Sequence, residues 1–108
     1  MRRRPPRRIR GIIYLPEYRE KNWRKHHVSE QDVVDVFADR SLFRFQGRGL
    51  RTGEDVYAAY GQVPGGRYLI VFFVHKLSGE ALVLSAREMT AAERRYYATN
   101  KTHRLHQD

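Results

Sequence analysis

Residues 68–74, YLIVFFV, constrain this chain more than any other stretch. Seven apolar residues in succession fall far short of the roughly 20 that a bilayer-crossing helix needs. Continuous rather than alternating, they have the pattern of a strand buried on both faces, and so of one in the middle of a sheet. Pro64-Gly65-Gly66 supplies a turn before the run, and Leu77-Ser78-Gly79 supplies one after it. Residues 67–76 therefore read as a central strand. The second turn makes it one arm of a hairpin, whose other arm, residues 81–85, runs on towards Arg87.

The remaining elements follow from local chemistry. Residues 9–15 contain IIYL, a short first strand closed by Pro16. Proline suits a first helical position, and Glu17 with Lys21 is a favourable pair four apart, so a helix is expected over residues 16–26 with Trp23 as its core anchor. Ser29 is a good N-cap with Asp32 three residues on, and Val33, Val36 and Phe37 follow at helical spacing with Val34 beside them. This second helix should pack on a sheet and end near Ala38, with residues 39–41 as a turn. Residues 42–46 alternate Phe43 and Phe45 with polar neighbours and read as a strand, residues 47–53 as a loop, and residues 54–62 as a further strand. Thr90-Ala-Ala-Glu93 fits a capping box, which fixes the start of a last helix carrying Arg94, Arg95, Tyr96 and Tyr97. The order implies an α+β sandwich, with an antiparallel sheet packed against two N-terminal helices and a C-terminal helix added. Within one chain of 108 residues it makes a single domain over residues 11–98, between an arginine-rich arm (residues 1–10) and a flexible tail (residues 99–108).

Charge is unevenly divided along the chain. The formal net charge is +9, but residues 1–10 hold six arginines and no acid, so the rest carries 15 basic and 12 acidic residues. A chain of this kind suits phosphate-bearing partners, and the arm, disordered without one, could grip nucleic acid or be an idle solvated tail. Arg40, Arg44, Arg48 and Arg51 have no acid among the residues between them and form a second local positive patch. The lack of cysteine removes disulfides and thiolate metal sites together and fits a cytoplasmic setting, while no segment is long and apolar enough for a membrane span.

The histidines do not assemble into a metal site: His26 and His27 are adjacent and face different ways on a helix, and His103 and His106 fall in the expected tail. No glycine-rich phosphate loop or nucleophile elbow is present, so no cofactor is expected. What remains is cationic and phenolic: Lys21, Lys25, Arg87, Arg94, Arg95, Tyr96 and Tyr97, with Glu54, His75 and Glu93 as candidate bases. Such groups can run metal-free RNA cleavage, in which a base takes the 2′-hydroxyl proton and cations stabilise the crowded phosphate. The same residues can equally be surface ion pairs and core edges.

Three blocks carry a resemblance. Residues 22–29, NWRKHHVS, resemble the N-x-x-K-H-G-V-S turn of the BrnT toxins, with His27 in the glycine position; residues 36–39, VFAD, resemble their V-F-D-D helix end. Residues 84–97, LSAREMTAAERRYY, resemble their I-S-A-R-x-A-T-x-x-E-R-x-x-Y signature, the most specific of the three. The resemblance implies a RelE-like fold and an RNA endonuclease that needs no metal and halts translation. It further implies neutralisation by a small DNA-binding antitoxin of the BrnA type, through whose complex operator DNA is bound. It points to Lys25, Arg87, Glu93, Arg94 and Tyr97 as catalytic positions, with the arginines as phosphate holders. Lys21, Arg44, Arg48, Arg51 and Arg95 are the expected RNA contacts. Two cations common in that family fall here on Val56 and Gln62. A catalytically silent module that binds RNA or a partner is the rival reading. A DNA-binding regulator has less support, for no helix-turn-helix pattern stands out. The RNA sequence cut and the oligomeric state, monomer or homodimer, are left open.

Overall fold

The structure, a computed structural model, describes residues 9–38 and 42–106, so residues 1–8 of the arginine-rich arm and Arg40 of the positive patch lie outside the described residues. The elements run β1 (Gly11–Ile13), α1 (Pro16–His26), α2 (Glu30–Ala38), β2 (Leu42–Arg48), β3 (Asp55–Gln62), β4 (Tyr68–His75), β5 (Glu80–Glu88) and α3 (Ala91–His106). Five strands form one sheet in the order β1-β5-β4-β3-β2, which places the apolar run of β4 at its centre.

The sheet is mixed, not antiparallel throughout. β2 to β5 meander antiparallel, but β1 lies parallel to β5, with Ile12 opposite Ala81. The Arg10 amide donates to the Gly79 carbonyl at 2.9 Å, which fixes β1 beside the start of β5. From there the chain crosses through α1 and α2 to the far edge, and strand by strand returns to β5. Gly79, at φ +91°, closes the β4–β5 turn in a conformation that a side chain would strain.

Alternation along the strands sorts the interior into two sets. Leu69, Val71 and Phe73 of β4 join Val33 and Val36 of α2, with Tyr57, Ala59, Ala81 and Val83. Ile70 joins the other set with Ala58, Tyr60, Met89 and Tyr97, and Phe72 and Tyr96 pack against it. Phe73 is the hub of the first set, with Phe37, Phe43 and Tyr57 ring centroids at 5.1, 5.5 and 6.0 Å.

Both helix starts read from the sequence close as reciprocal caps. The Asp32 amide donates to Ser29 Oγ and the Ser29 amide to Asp32 Oδ2, each at 3.0 Å. The Glu93 amide donates to Thr90 Oγ1 at 3.2 Å and the Thr90 amide to Glu93 Oε1 at 2.8 Å. α3 then continues through 16 residues, past Ala98 and into the stretch that composition marks as a tail. β2 likewise extends through Gly47 and Arg48, residues that the glycines assign to a loop.

Trp23 is not a core anchor: it is 55% exposed and lays its ring edge against His27. The turn of α1 that faces inward carries polar groups instead. Buried Asn22 donates to the Tyr14 hydroxyl at 2.9 Å, and Lys21 Nζ donates to the Leu84 carbonyl at 3.4 Å. Trp23, one residue further round the helix, is thereby turned to solvent. α1 ends on His27 at φ +52°, a left-handed cap, which accounts for glycine at this position of the resembled motif.

A bulge in β5 sets which way its later residues face. Phe73 lies opposite Val83 and Phe72 opposite Ser85, leaving Leu84 unopposed. Val83 and Ala86 consequently both reach the first apolar set, and Arg87 comes opposite Ile70 of the second.

Candidate functional site

The face of the sheet that α3 packs on gathers charge and phenols around one row of residues. Leu42, Tyr60, Ile70 and Arg87 lie side by side across β2, β3, β4 and β5. Arg44, two residues along β2, shares this face, since it lies opposite Ala58. Its guanidinium carbon stands 4.2 Å from the centre of the Tyr96 ring, and it hydrogen-bonds the Tyr60 side chain. The rings of Tyr60 and Tyr96 are 5.2 Å apart. Arg87 stands over Phe72 at 5.3 Å.

Arg87 is held as a fork. Its Nη1 and Nη2 donate to Glu93 Oε1 and Oε2 at 2.8 and 3.0 Å, and Nη1 also donates to the Glu88 carbonyl at 3.0 Å. The hydrogen bonds with Arg87 pull the Glu93 carboxyl below its ordinary value, and the same bonds raise the arginine further. Glu93 is therefore a poor proton acceptor and an effective clamp. Arg44 is likewise raised, first by its hydrogen bond with Tyr60, then by the field of Tyr60, Tyr96 and Glu93. Two guanidiniums thus flank two phenols. Tyr60 is buried beneath them, whereas Arg44 is exposed and Tyr96 half-buried.

The other expected site residues lie elsewhere. Arg94 stacks on Tyr68 at 4.2 Å and, with Arg95, Tyr97, Ala98 and Lys101, lines a cleft along α3, where Tyr68 and Tyr97 also pack into the set that holds Tyr60. Lys21 and Lys25 belong to α1, and Lys21 is occupied at the Leu84 carbonyl and over the Tyr18 ring. Lys25 is exposed in the last turn of α1, next to carbonyls of His26 and His27 that Arg67 binds while also pairing with Glu88. Glu88, adjacent to Arg87 in the strand, points to the opposite face, so Lys25 and Arg87 flank the end of β5 from two sides. Arg48 and Arg51 sit by the β2–β3 turn, beyond the Arg48–Asp55 pair at the other end of the sheet from Arg87. Glu54, a candidate base, is committed there to Lys76 Nζ at 2.9 Å and the Leu77 amide at 3.0 Å, which draw its carboxyl below the ordinary range. His75 packs edge-on against Tyr57.

Among the described residues no three His, Cys, Asp or Glu side chains group as metal ligands, and no helix is long and apolar enough to cross a membrane. Tyr60 is the site residue that sequence reasoning missed. Its signal was only the alternation that puts residue 60 on the face of Ala58.

A family model described as the ribonuclease toxin BrnT of type II toxin–antitoxin systems matches residues 15–93. The chain belongs to the BrnT family. No curated protein matches it. In this BrnT-family chain the match takes in Arg44, Tyr60, Arg87 and Glu93, while Tyr96 and the cleft residues from Arg94 onward follow it. By strand alternation Val56 and Gln62 share the face of Tyr60 and so point to the same side as Arg87.

Proposed function

We propose that this chain is the toxin of a type II toxin–antitoxin pair and cleaves RNA at the Arg44, Tyr60, Tyr96 and Arg87 face, without a metal. The observation that carries the reading is the convergence of two guanidiniums on two phenols on one sheet face. The cleavage is an in-line transfer in which the 2′-oxygen attacks phosphorus and the bond to the 5′-oxygen breaks, leaving a 2′,3′-cyclic phosphate and a free 5′-hydroxyl. Arg44 and Arg87 stabilise the charge that develops on the phosphate oxygens. The half-buried Tyr96 hydroxyl supplies the proton for the departing 5′-oxygen and regains one from water, and the 2′-hydroxyl proton passes to solvent. Glu93 and Tyr60 are positioning residues that hold Arg87 and Arg44. Damage to RNA in the cytoplasm halts translation, and a BrnA-like antitoxin neutralises the toxin and carries the complex to operator DNA.

Val56 and Gln62 support a second reading, a catalytically silent module that keeps the fold and binds RNA. Expression of wild type and Arg87→Ala in a bacterial host separates the two. Growth arrest with loss of intact total RNA for wild type alone supports the toxin. Soluble wild type that neither arrests growth nor degrades RNA, yet binds RNA in a salt-dependent way, supports the module.

A further inference from the structure

Arg67, just ahead of β4, takes no part in the chemistry above, yet its guanidinium reaches three separate elements at once. Nη1 donates to the His27 carbonyl at 2.8 Å and Nη2 to the His26 carbonyl at 3.2 Å, both at the end of α1. Nη2 also donates to Glu88 Oε2 at 3.2 Å, at the end of β5, and Nη1 stands 3.7 Å from Asp32 Oδ2, the acid that caps α2. We propose that Arg67 is a positioning residue, which fixes the end of α1, and Lys25 with it, against the end of β5 that carries Arg87. The inference rests on RNA cleavage being the activity and adds what sets the spacing of two cations expected in its site.

The partners of Arg67 are chain neighbours of those cations. His26 follows Lys25, and Glu88 follows Arg87. The Glu88 carbonyl in turn accepts from Arg87 Nη1 at 3.0 Å, so residue 88 is held at its side chain by one guanidinium and at its backbone by the other. A lysine would not do the same, because only a guanidinium presents two outer nitrogens in one rigid plane, and here each of them meets two partners.

The turn after α1 needs such a hold. The last carbonyls of a helix have no partner within it. His27 is the one non-glycine residue at positive φ among the described residues, a conformation that a side chain disfavours. The His27 and Val28 amides return to the Trp23 and Asn22 carbonyls at 2.9 and 3.3 Å, while the His26 and His27 carbonyls turn outward to Arg67. A surface ion pair would contribute little, since both side chains are free to swing away. Two of the contacts of Arg67, the shortest included, are instead to backbone that does not swing.

The test is a double-mutant cycle on cleavage of a labelled RNA strand by the full chain, with wild type, Arg67→Ala, Lys25→Ala and the two combined. A catalytic group misplaced by about 1 Å can cost about 10²-fold in rate, so Arg67→Ala should lower kcat by about ten- to a hundredfold and change KM little. In the Lys25→Ala chain the same substitution should make no further difference. An unaltered kcat in Arg67→Ala, or an equal loss with and without Lys25, overturns the proposal. A merely structural role gives that equal loss, and thermal melts set an assay temperature at which every variant is folded. Hydrogen exchange reads the hold without any activity: in Arg67→Ala the His27 and Val28 amides should exchange about tenfold faster while those of β4 keep their rates. Unchanged exchange also overturns the proposal. Should wild type leave RNA uncut, the cleavage reading fails, and the exchange rates still decide whether Arg67 holds the turn.

Discussion

Replacing Glu93 by glutamine removes a charge while keeping the shape and the ability to cap α3. Glu93 accepts from both outer nitrogens of Arg87 and from the Thr90 amide. The side chains of Arg87 and Glu93 are 31% and 21% exposed, so the pair is neither a surface pair, worth up to about 1 kcal/mol, nor a fully buried one, where loss of a partner costs about 3–5 kcal/mol. Glu93→Gln should therefore destabilise by about 1–2 kcal/mol, which for a domain of this size lowers Tm by roughly 10 °C. Glu93→Ala also loses the cap and should cost about 1 kcal/mol more. The pH dependence separates charge from shape. Because the folded carboxyl lies below its unfolded value, its stabilisation is fully present above about pH 4.3 and is lost as pH falls through the folded value. Thermal melts followed by circular dichroism from pH 7 to pH 3 should show wild type and Glu93→Gln converging in acid. Parallel profiles with Tm values within about 2 °C of each other would refute the clamp.

Arg44→Ala should leave the fold intact, since its guanidinium is exposed, and lower RNA cleavage by about 10²–10³-fold, the usual effect of removing one transition-state donor; cleavage of a labelled strand measures it. Phe73→Ala opens a cavity among Phe37, Phe43 and Tyr57 and should cost about 3–5 kcal/mol, read by urea unfolding. Trp23, the chain's single tryptophan, should show red-shifted emission and ready iodide quenching, whereas a blue-shifted, protected spectrum would place it in the core.

Those parts of the fold that depend on neighbouring residues were legible in the sequence. The limits of α1, both reciprocal caps and the central position of β4 follow from capping chemistry and a single apolar run. The parallel pairing of β1 was not legible, because an isolated three-residue strand carries no sign of its partner's direction. Trp23 misled because hydrophobicity was taken as burial, when α1 turns inward on Asn22 and Lys21 to satisfy a hydroxyl and a carbonyl. At the candidate site, Arg87 and Glu93 were readable as members of one motif six residues apart. The Arg44–Tyr96 contact joins an edge strand to the last helix and depends wholly on tertiary packing. Sequence proximity likewise does not show that Tyr97 reaches the set of Tyr60 while Arg94, on the same helix, stacks on Tyr68.

The unopposed Leu84 in β5 makes the location of the candidate site a matter of parity. Counting from Ala81 and Val83, an unbroken strand would send residue 87 to the side of Val33 and Val36; one extra residue sends it to the side of Tyr60 and Tyr96. Straightening residues 83–87 without the bulge would therefore drive a guanidinium into the apolar interior and strip the opposite face of its clamp at once. Deleting Leu84, by contrast, removes the bulge and the extra residue together and leaves Arg87 on its present side. Substitutions within β5 can be graded by size and charge, but loss of the bulge at unchanged length is all or none. For this short segment, the place where the chain bulges carries as much of the site's design as the identity of its residues.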